Sequence, residues 1–256
     1  RVLFRSELAG CGNNNGYASG SACNLTSAME MALNEGKRYI SGWQEQVGVK
    51  TSAAGDFKSF EDVKKAMAEQ LTHAIQVMVD LSNIKDQVIA EHFPTPLLSA
   101  TIEGCVESGM DVTRGGARYN HSTVSAQGLA TTANSLAAIE WAVFDKKLLT
   151  MEDLMRHLRS NYADAEDLRL QLLNKAPKYG AGNSKADEIA LWVMNLLNDQ
   201  SRKHKRPMDG GTYRPLMISA GTQVMGGRIL GATPDGRKAG EAVSNGISPT
   251  NGTESQ

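Results

Sequence analysis

The sequence predicts an α/β chain. Long stretches with apolar residues every three or four positions alternate with short apolar runs bounded by glycine and proline. Two patterns of the form Ser/Thr-x-x-Asp, at Thr150–Asp153 and Ser184–Asp187, resemble helix-opening capping boxes. No internal repeat or low-complexity tract divides the 256 residues.

The elements follow in order. Residues 10–20 are rich in Gly and Asn, which tolerate positive φ, and read as a loop. A helix is expected next. Ser19 or Ser21 could cap it, Leu25, Met29 and Ala32 or Leu33 share a face, and Gly36 stops it. Residues 40–58 read as irregular. Ser59 then opens a long helix whose stripe is Val63, Met67, Leu71, Ile75 and Met78, and which must end before Pro94 and Pro96. Residues 97–103 could form a short strand, and Asp111–Asn120 reads as a loop. Leu129, Ala133, Leu136, Ala137 and Trp141 mark another helix. Helices also follow Thr150 and Ser184, with Leu154 and Leu158 on one face of the first and Ile189, Val193, Leu196 and Leu197 on the second. Residues 213–219 and 223–230 are strand candidates.

A net charge of −1 supplies no attraction for nucleic acid or an anionic membrane. No apolar run reaches the length of a membrane span, and no signal peptide is visible. The three cysteines, Cys11, Cys23 and Cys105, have neither disulfide-framework nor zinc-site spacing, which fits a reducing cytoplasm. The five histidines make no metal spacing. Arg202–Arg206 is a basic run, read as cations opposing the C-terminal dipole of the preceding helix.

Chemistry is concentrated in a few places. Cys11 stands between Gly10 and Gly12, ahead of Asn13, in the first loop. The residues alone allow a thiol presented to a substrate or an unreactive loop cysteine. Cys23 falls in the first expected helix and reads as packed there. Arg114-Gly-Gly-Ala-Arg-Tyr-Asn-His121 is either a pocket loop or a turn entering a helix at Gln127. Arg114 and Arg118 read as structural, and His121 is held as a pocket candidate. Gly231-Ala-Thr-Pro-Asp-Gly-Arg-Lys-Ala-Gly240 contains a good type I turn and lacks the spacing of a phosphate-binding loop.

Two blocks, Pro94-Thr-Pro-Leu-Leu-Ser99 through Gly104-Cys-Val-Glu107 to Asn120, and Gly231–Gly240, resemble the glycyl radical enzymes. This is the family of pyruvate formate-lyase and the coenzyme-B12-independent glycerol dehydratase. The string Pro177-Lys-Tyr-Gly180 and the helix ending Asn34-Glu-Gly36 are similar too, so the resemblance covers residues 9–254. It implies that the chain is the second half of a ten-stranded α/β barrel, with the Cys11 loop projecting into its centre. It implies that Cys11 forms a thiyl radical, which takes hydrogen from a small organic substrate and returns it. No cofactor is expected on the chain itself. The resemblance implies a protein glycyl radical, installed by a radical S-adenosylmethionine activase with an iron–sulfur cluster. A homodimer and an anaerobic host are implied as well.

Gly104-Cys105-Val-Glu107 matches the dehydratase active-site string, but its downstream context resembles the family's second block, so Cys105 is read as scaffold. Asn134 stands where the family more often has Asp and is also read as scaffold. Cys11 is followed by Gly12 and Asn13, where dehydratases show Cys-x-Glu with the Glu as base. Asn cannot take a proton at neutral pH. The departure points to a decarboxylase, a carbon–carbon bond-forming addition or an eliminase with its base elsewhere. Gly12 excludes the adjacent cysteine pair of pyruvate formate-lyase. Two other classes are open, a non-catalytic paralogue serving as a binding or assembly module and a two-electron cysteine enzyme. Residues 1–6 contain Leu-Phe-Arg-Ser, which resembles translated adapter sequence, and are expected to be non-native. Residues 7–256 are expected to be a truncated barrel domain. The family's glycine-radical string, similar to Arg-Val-x-Gly-Tyr, is not in the sequence. The fragment alone is therefore expected to be inactive.

Overall fold

A computed structural model describes residues 16–18, 22–43, 45–182, 185–217 and 221–251. In chain order the main elements are β1 (Gly16–Ala18), β2 (Ala22–Asn24), α1 (Leu25–Leu33), α2 (Phe60–His92), α3 (Pro96–Ser99), α4 (Cys105–Ser108), β3 (Asn120–Gln127), α5 (Leu129–Ile139), α6 (Met151–Arg159), α7 (Glu166–Lys175), α8 (Lys185–Arg202), β4 (Thr212–Met217) and α9 (Thr222–Arg228). The α/β class is as expected. No helix among the described residues is long and apolar enough to cross a membrane.

The chain divides into two compact units. One holds the described residues up to Cys23, Ile75–Ser125 and Asn198–Leu216. Its sheet is organised around β3, which pairs with β1, β2 and β4. β1 and β3 run parallel, with Gly16 beside Asn120, Tyr17 beside His121 and Ala18 beside Ser122. The other unit comprises Asn24–Ala74, Ala126–Leu197 and the residues from Met217 onward. At its centre α1 packs on α5, and both are buried along their whole length. Their small side chains let the backbones approach, and Thr26 Oγ1 meets Thr132 Oγ1 at 3.1 Å. A hydroxyl pair of this kind satisfies two polar groups that no water reaches.

The long helix is as the periodicity predicts. Val63, Met67, Leu71 and Ile75 are fully buried along one stripe. Asp62 Oδ2 accepts from the backbone N–H groups of Lys58 and Ser59, and Ser59 Oγ accepts from Asp62 N–H, a reciprocal cap at the helix start. Thr150 and Asp153 form the expected reciprocal capping box. Asn134 Oδ1 accepts from the Tyr179 amide at 2.7 Å and so holds the Pro177–Gly180 loop, a scaffold role.

Six expectations change. The cap of α1 is Asn24, whose Oδ1 accepts from Ser27 N–H, because β2 occupies the preceding residues; the expected cap Ser21 lies outside the described residues, as does Ser19. Cys23 is therefore in a strand rather than a helix, though it is packed as expected, 5% exposed. Residues 96–99 are a helical turn with Pro96 at its start, not a strand, since Ser99 hydrogen-bonds back to Thr95 O. The segment before α5 is strand β3 rather than a turn into a helix at Gln127, and Gly16–Ala18, within the expected loop, is strand β1. Residues 222–228 are helical instead of extended. Gly226 and Gly227 let that helix lie against neighbouring groups, because a Cβ on Gly227 would collide with Glu241 O.

Candidate active-site strands and their supports

Cys11, Gly10, Gly12 and Asn13 lie outside the described residues. The strand that follows them in sequence is β1, and its parallel partner is β3. Of the candidate pocket residues, His121 is therefore placed as the strand neighbour of Tyr17. Successive residues of a strand point to opposite faces, so His121, Thr123 and Ser125 share one face. Thr123 and Ser125 are buried, with their hydroxyls 3.4 Å apart. A strand face made of a half-buried imidazole and two buried hydroxyls can give and accept hydrogen bonds. No hydrophobic alternation marks this strand, which is why periodicity missed it.

The preceding block is built to hold β3 in place. Asn120 Nδ2 donates to Gly115 O at 3.0 Å and to Ala117 O at 2.7 Å, folding the glycine turn onto the start of the strand. Arg114 Nε donates to Ala90 O at 3.1 Å, and Arg118 pairs with Glu103 at 2.6 Å on the surface. Both arginines are thus engaged structurally. Gly104 has φ +97°, and a Cβ there would stand 2.6 Å from Arg118 N.

Cys105 is 3% exposed and packs with Ile102 and Ala117, with Val112 against them. Burial raises its thiol pKa, and the Asp111 and Glu107 carboxylates raise it further. Glu107 reaches back to the Gly104 N–H at 3.0 Å. Residues two apart on a helix do not face each other, so Gly104-Cys105-Val-Glu107 does not form a thiol–base pair here. Burial pushes Cys23 up to about 12. Neither thiol is disposed to ionise.

Asp111 ties this block together. It accepts from Thr95 N–H at 2.8 Å, Ser99 Oγ–H at 2.8 Å, and both the backbone and hydroxyl of Thr113 at 2.9 and 2.7 Å. Burial acts to raise its pKa, but these donors outweigh it and hold the carboxyl at about 2. A carboxyl depressed in the folded state adds stability above its ordinary value of 3.8, and that stability is lost as pH falls toward 2. Asp111→Asn is expected to cost about 1–3 kcal/mol at neutral pH, since its amide turns a donor toward other donors. Thermal unfolding of both full-length proteins checks this. The gap should be constant above pH 5 and shrink below about pH 4.

In the other unit the Gly231–Gly240 loop is a largely buried hydrogen-bonded network. Gly236 N–H donates to Thr233 O at 3.0 Å, closing the expected turn. Thr233 Oγ1 donates to Asp235 Oδ1 at 2.6 Å. Arg237 donates to the carbonyls of Gly231, Lys238 and Glu241 at 2.7, 2.6 and 2.9 Å. Glu30 accepts from the Gly231 and Tyr39 amides, and Tyr162 Oη donates to Thr233 O at 2.8 Å. Burial raises the Glu30 pKa, offset in part by these amides and by Arg38 and Arg237. The amides of Gly231, Thr233, Gly236, Arg237, Lys238, Ala239 and Gly240 all donate within the protein, so the arrangement is a lock rather than a phosphate cradle. Glu30 and Tyr162 have no sequence signal that links them to it. Arg206, the last residue of the basic run, is also structural, paired with Asp86 at 3.3 Å and Asp209 at 3.0 Å.

Comparison with known proteins matches this arrangement to a family. The family model described as pyruvate formate lyase-like matches residues 6–227. The trans-4-hydroxy-L-proline dehydratase of Clostridioides difficile is 35% identical over 95% of this chain and 30% of its own length. Its crystal structure with trans-4-hydroxy-L-proline bound superposes with a TM-score of 0.90 over 93% of this chain. Isethionate sulfite-lyase of Bilophila wadsworthia is 32% identical over 94% of this chain and 29% of its own length. The B12-independent glycerol dehydratase of Clostridium butyricum, in its glycerol-bound form, gives a TM-score of 0.86 at 31% identity over 91% of this chain and 29% of its own. The chain thus spans about three tenths of the length of these relatives. It belongs to the pyruvate formate lyase-like family of glycyl radical enzymes and shares the fold of that family's α/β barrel.

Proposed function

We propose that these residues are the cysteine-bearing section of a glycyl radical lyase acting on a small organic substrate. The observation that carries this reading is similarity along nearly the whole chain to dehydratases and a sulfite-lyase of the family. In this reading residues 7–256 are a section of the barrel domain, residues 1–6 are non-native, and the radical glycine lies in polypeptide outside this sequence. The 256 residues alone are then inert. The glycyl radical supplies the unpaired electron. Cys11 would give its S–H hydrogen to the radical glycine, take a hydrogen atom from a substrate C–H, return that atom to the product radical, and recover its own from the glycine. A neutral, shielded thiol suits that task, and no lowered pKa is required. Asn13 can hydrogen-bond a substrate but not deprotonate it, so any base sits elsewhere, with His121 the pocket candidate. The reading includes a radical S-adenosylmethionine activase with an iron–sulfur cluster as partner, a cytoplasmic homodimer and an anaerobic host.

The test is anaerobic activation of the full-length protein with its activase. An electron paramagnetic resonance doublet from a glycine α-hydrogen is expected, together with turnover of at least one compound among hydroxyproline, glycerol, propanediol and isethionate or their close analogues. Absence of the doublet after activation would favour the non-catalytic paralogue, and its appearance excludes that class. Turnover without activation would favour a two-electron cysteine enzyme.

A further inference from the structure

Helix α2 changes character along its length. In residues 60–74 the side opposite the buried stripe carries Glu61, Asp62, Lys65, Glu69 and Thr72, all exposed. From Ile75 onward the inner side still buries Ile75, Met78, Val79 and Ala90, but the outer side becomes apolar as well. Ser82 and Asp86 are buried at 2% and 6% exposure, while Val77, Leu81, Ile84 and Val88 face outward at 43–61%. Their spacing of four, three and four makes one continuous apolar seam along the helix. Phe93 and Leu97 extend the exposed apolar surface beyond its end, at 63% and 87% exposure. A helix apolar on both sides belongs inside a larger protein. Exposed patches of several hundred Å² mark interaction sites.

Beside the seam lies a cavity of about 350 Å³, lined by Ile84, Asn83 and Gln87 of α2 and by Arg206, Pro207 and Met208. The buried Asp86–Arg206 pair forms part of its lining. At 3.3 Å, Arg206 Nε and Asp86 Oδ2 make no well-formed hydrogen bond. Ile84 belongs to both seam and cavity, so a side chain packing on the seam has a socket with a polar wall to enter. Such a socket beside an apolar ridge is how a well-packed interface anchors its central residue.

We propose that this seam and socket are an internal interface, covered by polypeptide of the same parent chain outside these 256 residues. The proposal rests on the reading above, that the chain is a section of a longer glycyl radical enzyme. About seven tenths of each relative's chain has no counterpart here, which supplies ample covering polypeptide. A second copy is the other occupant the experiment tests, since a two-fold contact can set the ridge of each copy in the socket of the other.

The experiment uses the full-length protein with the photocrosslinker p-benzoylphenylalanine at position 84, and at position 69 as the control on the water-facing half. Expected is an intramolecular crosslink from position 84 to a peptide outside residues 1–256, and none from position 69. A crosslink joining two chains, or none at all from folded protein, overturns the proposal. Carbene footprinting of the unsubstituted protein needs no variant. Leu81 and Ile84 should escape labelling, and strong labelling of both overturns it equally. If the radical forms while crosslinks run between copies, only this inference fails. If the parent gene proves no longer than this chain, the functional reading fails with it.

Discussion

Cys11→Ala in the full-length protein is expected to form the glycyl radical normally and to make no product. In the proposed reading the activase acts on a glycine outside this sequence, so the paramagnetic doublet should match wild type. Hydrogen transfer has no route without the sulfur, and turnover should fall below about one part in 10⁴, the scale on which loss of an obligatory covalent group acts. Cys105→Ala and Cys23→Ala should retain turnover, because both side chains are packed in the interior, Cys105 against Ile102 and Ala117, and Glu107 is bonded to a backbone amide instead of Cys105. Anaerobic product assay of the three variants decides the assignment. Activity in Cys11→Ala would end it.

Arg237→Met is expected to be the most destabilising single change in the Gly231–Gly240 lock. Arg237 is 8% exposed and satisfies three carbonyls, with Asp235, Glu241 and Glu30 as its charge partners. Removing one partner of a buried charged network leaves the others uncompensated, at a cost of about 3–5 kcal/mol. The measurement is the thermal midpoint of the full-length protein. Arg118→Met is the comparison, since its surface pair with Glu103 is open to solvent and should leave the midpoint unmoved. Equal midpoints for Arg237→Met and wild type would refute the lock.

Long-period features were legible in the sequence. The stripe of α2, the Thr150 capping box and the turn at Thr233–Gly236 all depend on side chains a few positions apart, and local spacing suffices to read them. The resemblance to glycyl radical enzymes was legible too, because it rests on ordered strings rather than on contacts. Short elements were not. The strand β3, Asn-His-Ser-Thr-Val-Ser-Ala-Gln, is buried yet mostly polar, so neither hydrophobic alternation nor an apolar run announces it. Residues 222–228 have an apolar pattern compatible with strand or helix, and the choice turns on space that only Gly226 and Gly227 leave open.

By itself, the sequence determined the class and the family, and it is the sole source of the proposal for Cys11, since residue identity and order carry those. Only the tertiary structure decided that His121 lies beside Tyr17, that Cys105 is sealed from its own Glu107, and that half of α2 shows an apolar seam outward. Those facts depend on which side chains lie on which face and on contacts between residues far apart in the chain. Spacing along one strand of sequence does not encode them.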